Sequence, residues 1–173
     1  MRVYNSYARF DPPSEPGRLA ALQAIGRLRA GVRGVKFNLG RPPADAASEQ
    51  AEAGRFLAGL PEGIGLWCEC HEGTVLETRE AAAPAFRAWG PRAGAIIHPV
   101  GMPRDRMRAW FEAAAGRVVH LHLQARDDQN RFTTLRDRAA AVVAAFDDLR
   151  SLGFNGGATL EFTRGVGGRS EEH

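Results

Sequence analysis

Cysteine is scarce in this 173-residue chain. The two present, Cys68 and Cys70, stand one residue apart in an apolar run, so no disulfide framework exists. Lysine is scarcer still: of 23 basic residues only Lys36 is a lysine, and the arginines are interspersed with carboxylates, leaving a net charge of +3. The densest basic cluster, Arg104, Arg106 and Arg108, reads as a solvated helix face. A nucleic-acid footprint would want a stripe or a known motif, so nucleic acid is not favoured as a partner. No apolar run approaches the roughly 20 residues of a membrane span, and residues 1–5 are not a secretory leader. With reduced cysteines, these absences predict a cytoplasmic protein. Also missing are Gly-x-Gly-x-x-Gly, a P-loop, Gly-x-Ser-x-Gly and His-Glu-x-x-His, since His71-Glu72 continues into Gly73-Thr74-Val75.

What is present is the composition of a soluble globular chain, 44% hydrophobic and 25% charged. The length suits one domain, expected over residues 1–163, with 164–173 as a flexible tail. Six strands are predicted, at residues 2–7, 33–39, 64–70, 94–98, 118–123 and 158–163. Five helical segments lie between them. The first carries Leu19, Leu22, Ile25 and Leu28 on one side. Residues 46–60 and 80–89 are alanine-rich, and Pro84 must kink the latter or mark its start. Pro103 opens the fourth and Gly116 closes it. Thr134 could cap the fifth, which should stop at Gly153.

Strand and helix in alternation imply right-handed crossovers and a largely parallel sheet, either doubly wound or a β/α barrel. A doubly wound sheet is covered on both faces, so its central strands should be apolar throughout. These strands alternate instead. Val35, Phe37 and Leu39 oppose Lys36 and Asn38; Cys68 and Cys70 oppose Glu69 and His71; Val119, Leu121 and Leu123 oppose His120 and His122; Leu160 and Phe162 oppose Glu161. One face suits a helical layer and the other collects ionisable groups, as the lumen of a barrel does near its catalytic mouth. The predicted fold class is therefore α/β, a parallel TIM-type β/α barrel. It is incomplete, with about six strands and five helices where a full barrel takes eight of each. Open edges are usually covered, so a homo-oligomer or another partner closing the barrel is expected.

His71, His120 and His122 share the inward face with Glu69 and Glu161, and His98 joins them at its strand end. A lone strand histidine is usually a hydrogen-bonded core group, and a lone strand-end glutamate an ion-pair partner. Here the set recurs on four consecutive strands, and two carboxylates with two or three imidazoles suit a divalent metal such as manganese, zinc, magnesium or iron. Lys36 is read either as a salt-bridge partner of a lumen carboxylate or as an anion contact, with Asn38 beside it. Trp67 is expected to stack in the lumen, and Cys68 and Cys70 to pack under helices.

Residues 69–73 (Glu-Cys-His-Glu-Gly), 118–123 (Val-Val-His-Leu-His-Leu) and 153–161, ending in Thr159-Leu160-Glu161, resemble the last four strands of the xylose isomerase-like barrels. That superfamily includes sugar-phosphate isomerases and epimerases, inosose dehydratase-like proteins and an apurinic endonuclease branch. The resemblance covers about residues 33 to 163. It implies that Glu69 and Glu161 are metal ligands doubling as the acid/base pair, that His122 is a third ligand and that His71 contacts substrate. The family usually carries an Asp where this chain has His98, and Lys-Asp where it has Gln124-Ala125. Its first two barrel strands have no counterpart here.

The function expected is a metal-dependent isomerase or epimerase of a sugar, sugar phosphate or polyol. Catalytic roles fall to Glu69 and Glu161; metal ligation to Glu69, His98, His122 and Glu161; substrate contact to His71, His120, Lys36, Asn38 and Trp67. One carboxyl should have a raised pKa where burial outweighs the cation's pull. The alternative is a non-catalytic truncated barrel that binds metal or sugar, or serves as an assembly partner. Hydrolysis of a phosphodiester would require a richer ligand cluster than this.

Overall fold

A computed structural model describes residues 2–5, 10, 15–28, 31–40, 45–70 and 72–161. His71 and the expected tail at 164–173 lie outside the described residues. Six parallel strands pair in the order β1 (Arg2–Asn5), β2 (Val32–Phe37), β3 (Gly65–Glu69), β4 (Ala93–Ile97), β5 (Val118–Leu123) and β8 (Gly157–Leu160). Between β5 and β8 a two-stranded antiparallel hairpin, β6 (Ala125–Arg126) with β7 (Phe132–Thr133), stands apart from the sheet. The helices are α1 (Glu15–Leu28), α2 (Ala46–Gly59), α3 (Arg79–Trp89), α4 (Arg104–Ala113) and α5 (Ala139–Ser151). Strand order follows chain order with no reversal, as winding around a barrel requires, and a doubly wound sheet would reverse at a switch point. The fold is α/β, an incomplete TIM-type barrel.

The alternation places the core. Val35, Phe37, Leu66, Cys68, Ala95 and Ile97 belong to one cluster with the apolar sides of the helices. Phe37 meets Phe10 and Phe56 at ring separations of 4.9 and 4.7 Å, the second edge-on. Cys68 and Cys70 are buried there, as expected, and burial lifts the Cys68 thiol to about 12, leaving it inert.

Arginine does structural work. Arg92 donates to the carbonyls of Leu57, at 2.6 Å, and Leu60, at 3.1 Å, closing the end of α2. Arg117 does the same for α3 through the Phe86 carbonyl and also holds the Ala93 carbonyl in β4.

Helix ends follow local chemistry. Asp45 accepts the Ser48 amide at 3.1 Å and Thr78 the Ala81 amide at 3.2 Å, each capping a helix start. Gly116 and Gly153, both with positive φ, stop α4 and α5 where expected. Pro84 neither starts nor ends α3. It sits inside the helix on an exposed side, sacrificing only the bond to the Glu80 carbonyl. Thr134 does not cap α5, because Asp137 engages it first: its hydroxyl donates to Asp137 Oδ2 at 2.7 Å and accepts the Asp137 amide. That pair closes a turn, and α5 begins five residues later without a side-chain cap.

The inner face is shaped by glycine. A methyl group on Gly34 would collide with the Trp67 indole, and one on Gly65 would lie 2.8 Å from its Nε1. Two glycines on adjacent strands thus make room for one tryptophan on the lumen floor. One expected residue changes face. The pairing of β4 with β5 slips between Ala95 and Ile96, so Val118 enters the core while Val119 leans over Gly94 on the inner side.

Candidate metal and acid-base site

The inner groups converge at the carboxyl ends of β2 to β8. Glu69, the last residue of β3, is the hub. Its Oε2 lies 3.0 Å from Lys36 Nζ on β2, and its Oε1 takes hydrogen bonds from His98 Nε2 at 3.0 Å and His122 Nδ1 at 2.9 Å. His122 Nδ1 also lies 3.0 Å from Glu161 Oε1, and Lys36 Nζ lies 3.7 Å from that oxygen. One imidazole proton is thus shared between two carboxylates from strands that are not neighbours. His120 stacks on Trp67 with ring centroids 6.1 Å apart, and its Nε2 bonds the Thr159 hydroxyl at 2.7 Å.

Burial makes these contacts electrostatically strong. Burial alone would lift the Glu69 carboxyl, but the hydrogen bonds from His122 and His98 and the Lys36 charge outweigh it and hold it well below the usual range. In Glu161 the same opposition ends the same way, with His122 prevailing. The expectation of one carboxyl raised by burial is therefore corrected: each carboxyl has an imidazole within hydrogen-bond reach. Burial pulls the His122 pKa down, yet Glu161 and Glu69 more than reverse it, so His122 holds its proton above the ordinary histidine range. His120 is pushed down to about 4, by burial first and then by His122 and Lys36, and is neutral at pH 7.

A divalent cation fits these residues. Ligand atoms of Glu69, His98, His122 and Glu161 all lie within 4.8 Å of one another. Four ligands about 2.0–2.2 Å from one ion lie roughly 3.3–3.6 Å apart in a tetrahedron, so side-chain shifts of about 1 Å would close the set on a cation. Among the described residues, Glu161 Oε2 is buried with no hydrogen-bond partner, an orphan that a cation or a proton-donating substrate would satisfy. The donor set, two carboxylates and two imidazoles, is that of a borderline metal.

The other expected residues divide. Lys36, Trp67 and His120 line the same inner face as the four, whereas Asn38, two residues past Lys36, is exposed. His71 lies outside the described residues. Two contributors were missed. Gln124 Nε2 bonds His98 Nδ1, and Thr159 holds His120. Extending the alternation of His120 and His122 by two residues would have found Gln124, and running it back from Glu161 would have found Thr159. At the opposite end of the strands a cleft of ≈ 420 Å³, lined by Gly31, Arg33, Glu62 and Ile64 among others, carries none of this chemistry.

No protein-family model and no curated protein sequence matches the chain. Solved structures do. The probable 3-DHS dehydratase AsbF, involved in petrobactin synthesis in Bacillus anthracis, superposes with a TM-score of 0.64 at 10% identity, over 94% of this chain and 70% of AsbF. The 3-keto-D-glucoside 4-epimerase YcjR from E. coli, in its apo form, superposes at 0.65 and 15% identity, over 95% of this chain and 70% of YcjR. The likeness shows the fold, an incomplete TIM-type barrel. In a barrel of this type the carboxyl ends of the strands form the functional face, and that is where Glu69, His98, His122 and Glu161 gather. Among the described residues, no helix of this partial barrel is long and apolar enough to cross a membrane.

Proposed function

We propose that the chain is a metal-dependent isomerase or epimerase of a small sugar, sugar phosphate or polyol, with Glu69 and Glu161 as its proton-transfer pair. The observation that carries this reading is the half-satisfied Glu161. Its Oε1 is held by His122 while its buried Oε2 has no partner among the described residues. A carboxylate oriented through one oxygen and bare at the other is suited to take a proton from carbon.

A divalent ion held by Glu69, His98, His122 and Glu161 would supply positive charge that acidifies a proton next to a substrate carbonyl. The side chains do the rest. Glu161 takes the proton. Glu69, paired with Lys36, fixes the ligand geometry and, after taking a proton from solvent, returns it to the carbon while Glu161 loses its own to solvent. Lys36 faces the same space and would hold negative charge developing on oxygen. Trp67 and His120, stacked and neutral, would present a flat wall to a sugar ring, with the exposed Asn38 beside it, and His71 keeps the substrate contact that the family resemblance implies. The two similar structures, one named as an epimerase and one as a probable dehydratase, support this class of chemistry.

The test is exchange of carbon-bound hydrogen. Small keto-sugars incubated with manganese- or zinc-loaded protein in deuterated water should take up deuterium, read by NMR, and Glu161→Gln should abolish that uptake while leaving the far-ultraviolet circular dichroism unchanged. Undiminished uptake by the variant would remove Glu161 from its role.

A second reading, a scaffold that assembles with a partner, has its own support. Leu160, on the outer side of β8, the last strand of the sheet among the described residues, is 58% exposed, and Val143 on α5 is 60% exposed. Light scattering on the purified protein distinguishes a stable oligomer from a monomer.

A further inference from the structure

Among the described residues two acidic side chains are buried, Glu69 in the site and Glu49 outside it. Glu49 stands in the first turn of α2, on the face that also buries Ala53, Phe56 and Leu57, and its carboxylate accepts the Gly40 amide. No arginine or lysine among the described residues pairs with it, so the charge is enclosed against one backbone N–H and the positive end of its own helix. Enclosing a charge is costly and asks for a reason beyond packing. Gly40 supplies one. Its φ is not in the left-handed region, so its backbone would admit any residue, yet a Cβ there would collide with the Glu49 carboxylate. The Gly40 carbonyl in turn accepts the Val75 amide at 2.9 Å. Gly40 follows β2 and Val75 follows β3. The second loop is closed on itself, Thr74 Oγ1 accepting the Leu76 amide at 3.3 Å and Glu77 the Gly73 amide at 2.8 Å. Glu49 thus clasps two loops at the carboxyl ends of adjacent strands, the same strands that Lys36 and Glu69 join on the inner face.

We infer that Glu49 is a positioning residue for substrate: through Gly40 it holds the β2–α2 loop against the β3–α3 loop and so sets where Asn38 stands beside the site. The inference rests on the proposed function, in which Asn38 contacts substrate, and assigns control of that contact to a residue that touches neither substrate nor cation. Asn38 lies two residues before Gly40 and is exposed, whereas Leu39 between them is buried in the core. The segment is therefore pinned on both sides of Gly40 while the Asn38 side chain stays open to a ligand. A carboxylate makes a stronger clasp than a neutral acceptor, because a hydrogen bond to an ionised group is about twice as strong. The ligand atoms are fixed separately, by the contacts of Glu69 with Lys36 and His122. Loosening the clasp should therefore cost substrate binding and spare the cation.

The experiment compares the wild type with Glu49→Leu, Glu49→Gln, Asn38→Ala and the double variant Glu49→Leu/Asn38→Ala. Three quantities are measured on each: amide hydrogen exchange at Gly40 and Val75 by NMR, zinc affinity by calorimetry, and KM and kcat for deuterium uptake into D-fructose and its 6-phosphate by manganese-loaded protein. Glu49→Leu should speed exchange at both amides and raise KM about tenfold, the order expected for losing one charge-assisted hydrogen bond, with kcat and zinc affinity within about twofold of the wild type. Glu49→Gln, which keeps an acceptor for the Gly40 amide, should restore most of the KM. Asn38→Ala should raise KM to a similar degree and the double variant no further, since both changes remove the same contact. KM unmoved in Glu49→Leu, effects fully additive with Asn38→Ala, or zinc affinity that falls along with substrate affinity overturns the inference and leaves the proposed function standing. Wild type that takes up no deuterium removes the proposed function and the inference together. Should Glu49→Leu fail to fold, Gly40→Ala, whose methyl group displaces the carboxylate, is measured in its place with the same expectations.

Discussion

The two faces of the sheet obey opposite rules. Outward, Val35, Phe37, Leu66, Cys68 and Ile97 are sealed in apolar contact with the helices. Inward, one or two residues away on the same strands, Lys36, Glu69, His120 and His122 are almost equally buried and almost wholly polar. Desolvating charge costs several kcal/mol per ion, and paired charges at best offset that cost. The outer face thus explains why the chain folds, while the inner face has no comparable stabilising return. Its arrangement reads as selected for chemistry. The faces should therefore separate under mutation, activity responding to one and stability to the other.

The largest effect expected is on the inner face. Glu161→Gln should lower turnover of a confirmed substrate by about 10²- to 10⁴-fold, the usual contribution of a positioned acid or base. The melting temperature should move little, since Gln preserves shape at a half-buried strand end. A stability loss as large as the activity loss would merge the two faces. On the outer face the signs reverse. Phe37→Ala removes a fully buried ring from contact with Phe10 and Phe56 and should cost about 3–5 kcal/mol in urea unfolding. The ligand atoms would remain in place in whatever fraction stays folded, so zinc stoichiometry per folded molecule should persist.

A subtler test lies where the faces meet. Gly34→Ala adds a single methyl group, yet that methyl meets the Trp67 indole. Overpacking of this kind costs about 1–3 kcal/mol. Displacing Trp67 should also disturb its stack on His120, so tryptophan fluorescence should shift along with the loss of stability. An unchanged spectrum would mean that the indole is not held by the glycine pair.

This division was legible in the sequence wherever one face was greasy enough to give the period away. Val35 against Lys36, Cys68 against Glu69 and Leu121 against His122 all landed on the faces that alternation assigns. Legibility failed where pairing broke the period. Val119 changes face because the register slips beside it, and nothing in Val118-Val119 marks that slip. The hairpin of β6 and β7 is two residues deep on each side, too short to carry any period. Thr134 has the chemistry of a helix cap, but Asp137 three residues on competes for the same hydroxyl, and only geometry decides between them. Gln124 escaped for a different reason. Titratable groups advertise a site, whereas a neutral amide on the same face does so only once its partner is known.

The smallest effect separates inner groups that bear charge from those that merely orient. Thr159→Val keeps the shape of the β8 side chain and deletes the hydroxyl that His120 Nε2 meets at 2.7 Å. Losing one such bond from a buried ring costs about 1 kcal/mol, less if water enters from the exposed side of Thr159. His120 Nδ1 is already without a hydrogen-bond partner among the described residues, so the variant leaves the ring held by its stack on Trp67 and its edge contact with His122. If His120 and Trp67 form a wall for substrate, the consequence should appear in KM, with kcat nearly unchanged, because the proton-transfer pair is untouched. A fall in kcat with KM constant would instead make His120 a participant in the transition state and move the boundary between chemistry and orientation one strand position deeper into the barrel.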